Sequence, residues 1–149
     1  MLAEGIDVGR INRLLMEIHE ALGVIKKAIA LGKKHFLNNI ELVYAVRYAI
    51  ITIVEAISVI TIHVLEKKYG VVPETYSEAV EMLGRYGVIQ RDLASRLKRL
   101  VALRDILVHK YWSVDDSRIY DEATGNGVGT IEEFIREIKD YISREKEKP

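Results

Sequence analysis

Two side chains with complementary chemistry stand five residues apart: Arg104, a permanently charged fork of donors, and His109, an imidazole able to carry a proton. An arginine suits holding phosphate or stabilising the charge of a pentacovalent transition state. A histidine suits moving a proton to or from a reacting hydroxyl. Tyr111 adds a hydroxyl two residues on, so the segment presents R-x4-H-x-Y, and Asp105 places a carboxylate directly after the arginine. Each residue also has a plain structural reading. His109 near a helix C-terminus would be favoured by the helix dipole when protonated. Arg104 would pair with a buried acid, with Glu55 as the first choice. Tyr111 would be a core-edge tyrosine. Asp105 would be a solvated charge, or an orienter of His109 four residues on.

The element that must carry these residues spans Arg91 to Trp112 and reads as one amphipathic helix. Leu93, Leu97, Leu100, Leu107 and Tyr111 recur at spacings that build an apolar stripe, and Arg104 falls in the same series. At about 100° per residue Arg104 lies near the middle of the apolar arc, while His109 is turned roughly 140° away. Tyr111 stands nearly above Arg104. One straight helix therefore does not gather Arg104 and His109 into a compact site. Two copies meeting across a two-fold axis would place both pairs in one cleft.

The rest of the chain supplies packing partners. Asp7 to Leu31 reads as a first helix with Ile11, Leu14, Leu15, Ile18, Leu22, Ile25 and Ile29 on its apolar face, stopped by Gly32. Residues 32–36 form a link, and Asn38 or Asn39 caps a second helix from Ile40 to Tyr69. Leu42 to Leu65 is apolar enough to tempt a membrane reading, but Arg47, Glu55, Thr52, Ser58 and His63 lie inside it, so it is read as a central core helix. Gly70 and Pro73 break that helix. Thr75-Tyr-Ser-Glu78 is a capping box opening a short helix that ends near Gly84, and Gly87 separates it from Arg91. Ser113 to Glu122 is a turn with one short helical turn, and residues 124–129 are a loop. A second capping box, Thr130 to Glu133, opens a final helix through about Arg144, followed by a frayed tail at 145–149. No segment alternates like a strand. The expected fold is all-α: one domain over residues 1–149, an up-and-down bundle of four main helices with additional short ones.

Composition narrows the chemistry. The 149 residues carry 22 Lys and Arg against 22 Asp and Glu, so formal net charge is zero and bulk electrostatics cannot hold nucleic acid. Locally the balance differs, because seven Lys or Arg between Arg85 and Lys110 face only Asp92 and Asp105. Without cysteine there are no disulfides or thiolate metal sites. His19, His35 and His63 show no metal-ligand spacing, and no cofactor motif is evident. The N-terminal residues lack the apolar core of a signal peptide, making a cytoplasmic protein with no membrane span the default.

The helix LRDILVHKYW resembles the signature of HEPN-domain proteins, and its H-x-Y ending is that of the HepT-like group. The likeness covers most of the chain. Arg47-Tyr-Ala-Ile through Glu55 to His63 resembles the group's second helix, Val72-Pro73-Glu-Thr-Tyr76 its P-x-T-Y segment, and Val114-Asp115 to Tyr120 its stretch after the tyrosine. Ser58 stands where an acid is frequent. The resemblance implies an all-helical homodimer that cleaves RNA without metal or cofactor, with Arg104 and His109 as the catalytic pair brought from both subunits. Asp105 takes the place of the usual polar residue after the arginine. Members are commonly the toxin of a toxin–antitoxin pair whose partner is a minimal nucleotidyltransferase, which can transfer AMP to the tyrosine, here Tyr111. A second reading is a non-catalytic subunit that docks a nucleotidyltransferase or a nucleotide, with Arg104 holding phosphate and His109 lining the cleft.

Overall fold

The computed structural model describes residues 5–146. Helix α1 (Val8–Ala30) starts where the Asp7 carboxylate accepts the Arg10 N–H at 3.0 Å. It packs along α3 (Ile40–Val64), whose start is capped by Asn39. Of the 25 residues of α3, 13 are buried within the protein, so its apolar length is spent on the core. A π turn, Leu65–Tyr69, extends α3 to Gly70, which takes a left-handed φ of 62° to end it.

The 32–36 link is itself helical, α2 (Lys33–Leu37). The reason lies in Phe36, which is buried against the Tyr120 ring, while the Tyr120 hydroxyl donates to the Ile29 carbonyl at 3.0 Å. The first capping box forms in half: Thr75 Oγ1 accepts the Glu78 N–H at 3.0 Å and opens α4 (Tyr76–Arg85), while Glu78 Oε1 accepts the Glu74 N–H at 3.1 Å in place of the Thr75 N–H. Helix α4 packs along α5 (Arg91–His109), with Gly84 at the closest approach. A Cβ on Gly84 would stand 2.9 Å from that of Ala94, so no side chain fits there.

Two further expectations give way. Residues 124–129 are not a loop: α6 (Asp116–Glu122) runs through a π turn, Ala123–Gly127, kinked at Gly125, into α7 (Val128–Lys146). Thr130 and Glu133 do not cap that helix, because both lie inside it. They dock Arg96 of α5 instead, Nη1 to Thr130 Oγ1 and Nη2 to Glu133, each at 3.0 Å. Of the tail, Glu145 and Lys146 continue α7, and 147–149 lie outside the described residues. The long helices α1, α3, α5 and α7 form the bundle, and α2, α4 and α6 fill its connections. The described residues are helical without strands, as expected.

Candidate functional site

Arg104 meets the core boundary where α5 faces α3 and α4. On its stripe Leu93, Leu97 and Leu107 are buried and Leu100 is half-buried, and its own side chain retains 18% exposure. The guanidinium is held on three sides. Nη2 donates to Glu55 Oε1, Nη1 donates to Asp105 Oδ1 at 3.0 Å, and the Tyr76 ring lies 5.2 Å from Cζ. Burial alone would lower the Arg104 pKa, but hydrogen bonds to Asp105 and Glu55 outweigh it and raise it. The group is therefore a fixed cation. Its Nε–H is buried and has no partner among the described residues.

The contact anticipated between Arg104 and Glu55 is present. Asp105, by contrast, hydrogen-bonds Arg104, and no hydrogen bond joins it to His109 among the described residues. His109 is the last residue of α5 and is exposed. Regular helix geometry to that point keeps it roughly 140° from Arg104. The two halves of the motif remain on separate faces.

Tyr111 lies elsewhere than the stripe places it. Lys110, at φ −139° and ψ 43°, ends the helix, and Tyr111–Ser113 turn as a 3-10 segment, with the Ser113 N–H and Oγ both donating to the Lys110 carbonyl at 2.9 Å. Tyr111 is therefore not stacked above Arg104. It is 62% exposed and meets the 73% exposed Trp112 edge to face, with centroids 5.3 Å apart.

The contacts of Arg47, Asp116 and Tyr76 escape sequence reasoning. Arg47 Nε and Nη2 fork onto both carboxylate oxygens of Asp116 at 2.9 and 2.7 Å, and Nη1 reaches the Tyr111 carbonyl at 3.4 Å. The Asp116 hydrogen bond raises the Arg47 pKa. An arginine inside an apolar helix signals some partner, but nothing local says which acid. Tyr76 donates its hydroxyl to Glu55 Oε2 at 2.9 Å; its signal was the P-x-T-Y segment, which carried no role. His63 is buried and its Nε2 accepts the Asp7 backbone N–H at 2.9 Å, so it serves the start of α1 rather than the site. Among the described residues no group of three His, Asp or Glu is placed to hold a metal ion.

Arg104, Glu55, Asp105 and Tyr76 thus form one cluster, a single cation between two carboxylates and a phenol, while His109 and Tyr111 stand outside it. Residues 18–144 match the family of HepT-like ribonucleases. A protein of Archaeoglobus fulgidus described as a candidate RNase is 30% identical over 102 residues, 68% of this chain and 76% of that protein. Among solved structures, a tri-AMPylated HEPN toxin of Shewanella oneidensis in complex with its MNT antitoxin superposes with a TM-score of 0.81 at 21% identity, covering 88% of this chain and 97% of that one. A cytosolic protein of unknown function from Bacillus subtilis superposes with a TM-score of 0.68 at 19% identity, covering 87% and 91%.

Proposed function

The chain belongs to the HepT-like ribonuclease family, and from that premise we propose that it is a metal-independent endoribonuclease, the toxin of a toxin–antitoxin pair, whose site is completed in a homodimer. The observation that carries the reading is Arg104, a cation held rigidly at a half-open surface with donors still free, one helix turn and a half before an exposed histidine. Because His109 points away from Arg104, a subunit supplies each half of a site to its partner.

In that cleft His109 takes the proton from a ribose 2′-hydroxyl, whose oxygen attacks the adjacent phosphorus. The bond to the 5′-oxygen breaks and that oxygen takes a proton from water, leaving a cyclic phosphate and a free 5′-hydroxyl, while His109 releases its proton to solvent. Arg104 neutralises the charge gathering on the phosphate oxygens, oriented by Glu55 and Asp105. The internal nucleophile restricts cleavage to RNA. The antitoxin is a minimal nucleotidyltransferase that transfers AMP to Tyr111, for which the exposed 3-10 turn gives access. The setting is cytoplasmic.

The test is cleavage of RNA in EDTA by wild type, Arg104→Ala, His109→Ala and an equimolar mixture of the two variants, refolded together. Both variants should be inactive as folded dimers. The mixture should recover about a quarter of wild-type activity, because half of the dimers hold one site with both groups intact. A mixture as dead as its components would overturn the shared site. Activity that needs a divalent ion would overturn the metal-independent mechanism.

A further inference from the structure

Tyr76 has no place in the R-x4-H-x-Y pattern, yet two of its groups act on the arginine. Its hydroxyl donates to Oε2 of Glu55 at 2.9 Å while Arg104 holds Oε1, so each carboxylate oxygen has one partner. Its ring faces the guanidinium, with the centroid 5.2 Å from Cζ. The chain spends three devices on delivering this residue. Gly70 ends the preceding helix with a left-handed turn, Thr75 caps α4 through the Glu78 N–H, and Tyr76 falls at the first helical position, directly after the cap. The close α4–α5 packing allowed by Gly84 then fixes α4 against the helix that bears Arg104.

We propose that Tyr76 is a positioning residue of the Arg104 site: its hydroxyl fixes Glu55 and its ring fixes the guanidinium plane, so the donors left free by the two carboxylates are held ready for an RNA phosphate. The inference rests on the ribonuclease reading above and adds a residue to it. The hydrogen bond to Glu55, and then burial, raise the phenol pKa, which keeps Tyr76 a donor at any working pH. Charge alone attracts phosphate wherever the guanidinium points, so loss of Tyr76 leaves substrate affinity nearly intact. Stabilising the transition state depends on geometry, and that is what weakens.

The test compares wild type, Tyr76→Phe and Tyr76→Leu by steady-state cleavage of a single-stranded oligoribonucleotide and by nitrogen-15 NMR of the Arg104 guanidinium. Tyr76→Phe keeps the ring and should lower kcat about tenfold with KM moved less than about twofold. Tyr76→Leu should fall further. In wild type the Arg104 Nη protons should be distinct, and in Tyr76→Phe they should average as the fork rotates, with the urea midpoint little changed. A Tyr76→Phe protein with wild-type kcat would overturn the proposal, as would a loss of kcat with the Arg104 signals unmoved. Should wild type fail to cleave, the ribonuclease reading falls and the NMR comparison decides this one: a guanidinium equally mobile in both proteins overturns it, and one released only in the variant supports it. If Tyr76→Leu does not fold, Tyr76→Phe alone carries the result.

Discussion

Arg47 and Asp116 lie 69 residues apart and meet in a two-pronged ion pair, with both side chains about one-fifth exposed. Because the third nitrogen of Arg47 also reaches the Tyr111 carbonyl, the pair ties the strand of chain after His109 to α3. The clamp therefore holds the backbone of the 3-10 turn that carries Tyr111 and Trp112.

Removing one partner leaves the other charge half-buried and unpaired. Asp116→Asn should therefore cost roughly 1–3 kcal/mol in urea unfolding. Hydrogen exchange should rise over residues 110–116 while α3 and α7 keep their protection. A double-mutant cycle with Arg47→Gln checks the assignment, since a coupling energy near zero would mean the clamp is decorative.

His63 makes stability depend on pH. Its Nε2 accepts the Asp7 N–H, so the neutral form with its proton on Nδ1 is the one the fold uses. Burial, followed by the nearby Arg10, lowers its pKa below the ordinary 6.5. In the unfolded chain the group titrates at about 6.5. Above that pH both states are neutral and the full contribution is present. As pH falls, the unfolded state binds its proton first and stability declines, until native His63 is protonated too and the tether to α1 is lost. Urea midpoints should drop between about pH 7 and 5, and drop less in His63→Gln, whose amide oxygen accepts the same N–H without titrating. Parallel curves for the two proteins would remove His63 from the account.

The legibility of this chain follows how local each determinant is. Arg104 was visible because a charge interrupts an otherwise periodic stripe, and Glu55 because it is an acid within the apolar α3. The end of α5 was hidden, since Tyr111 keeps the apolar period and Lys110 carries no breaker signal. Thr130 and Glu133 have the spacing of a capping box, yet the same two acceptors serve a neighbouring arginine equally well, and only packing against Arg96 decides between them. Tyr76 and Asp116 act on partners 21 and 69 residues away, a distance at which no spacing rule applies.

Arg104 stands between two carboxylates, of which only Glu55 has a second anchor among the described residues. Asp105 has a side chain 54% exposed, and its contact is Arg104 Nη1 at 3.0 Å. It both occupies a donor that a phosphate could use and repels the phosphate by charge. At such a wet site the repulsion amounts to about 1 kcal/mol. Asp105→Asn keeps the size and an acceptor oxygen, so the guanidinium stays in place while the charge disappears. The expected outcome is a KM for RNA lowered about two- to fivefold, with kcat changed by less than about twofold and the advantage shrinking as salt is raised. Steady-state cleavage at two ionic strengths reads all three. A raised KM with a fallen kcat would reverse the assignment, showing that Arg104 is held by the Asp105 charge and not by its acceptor oxygen alone.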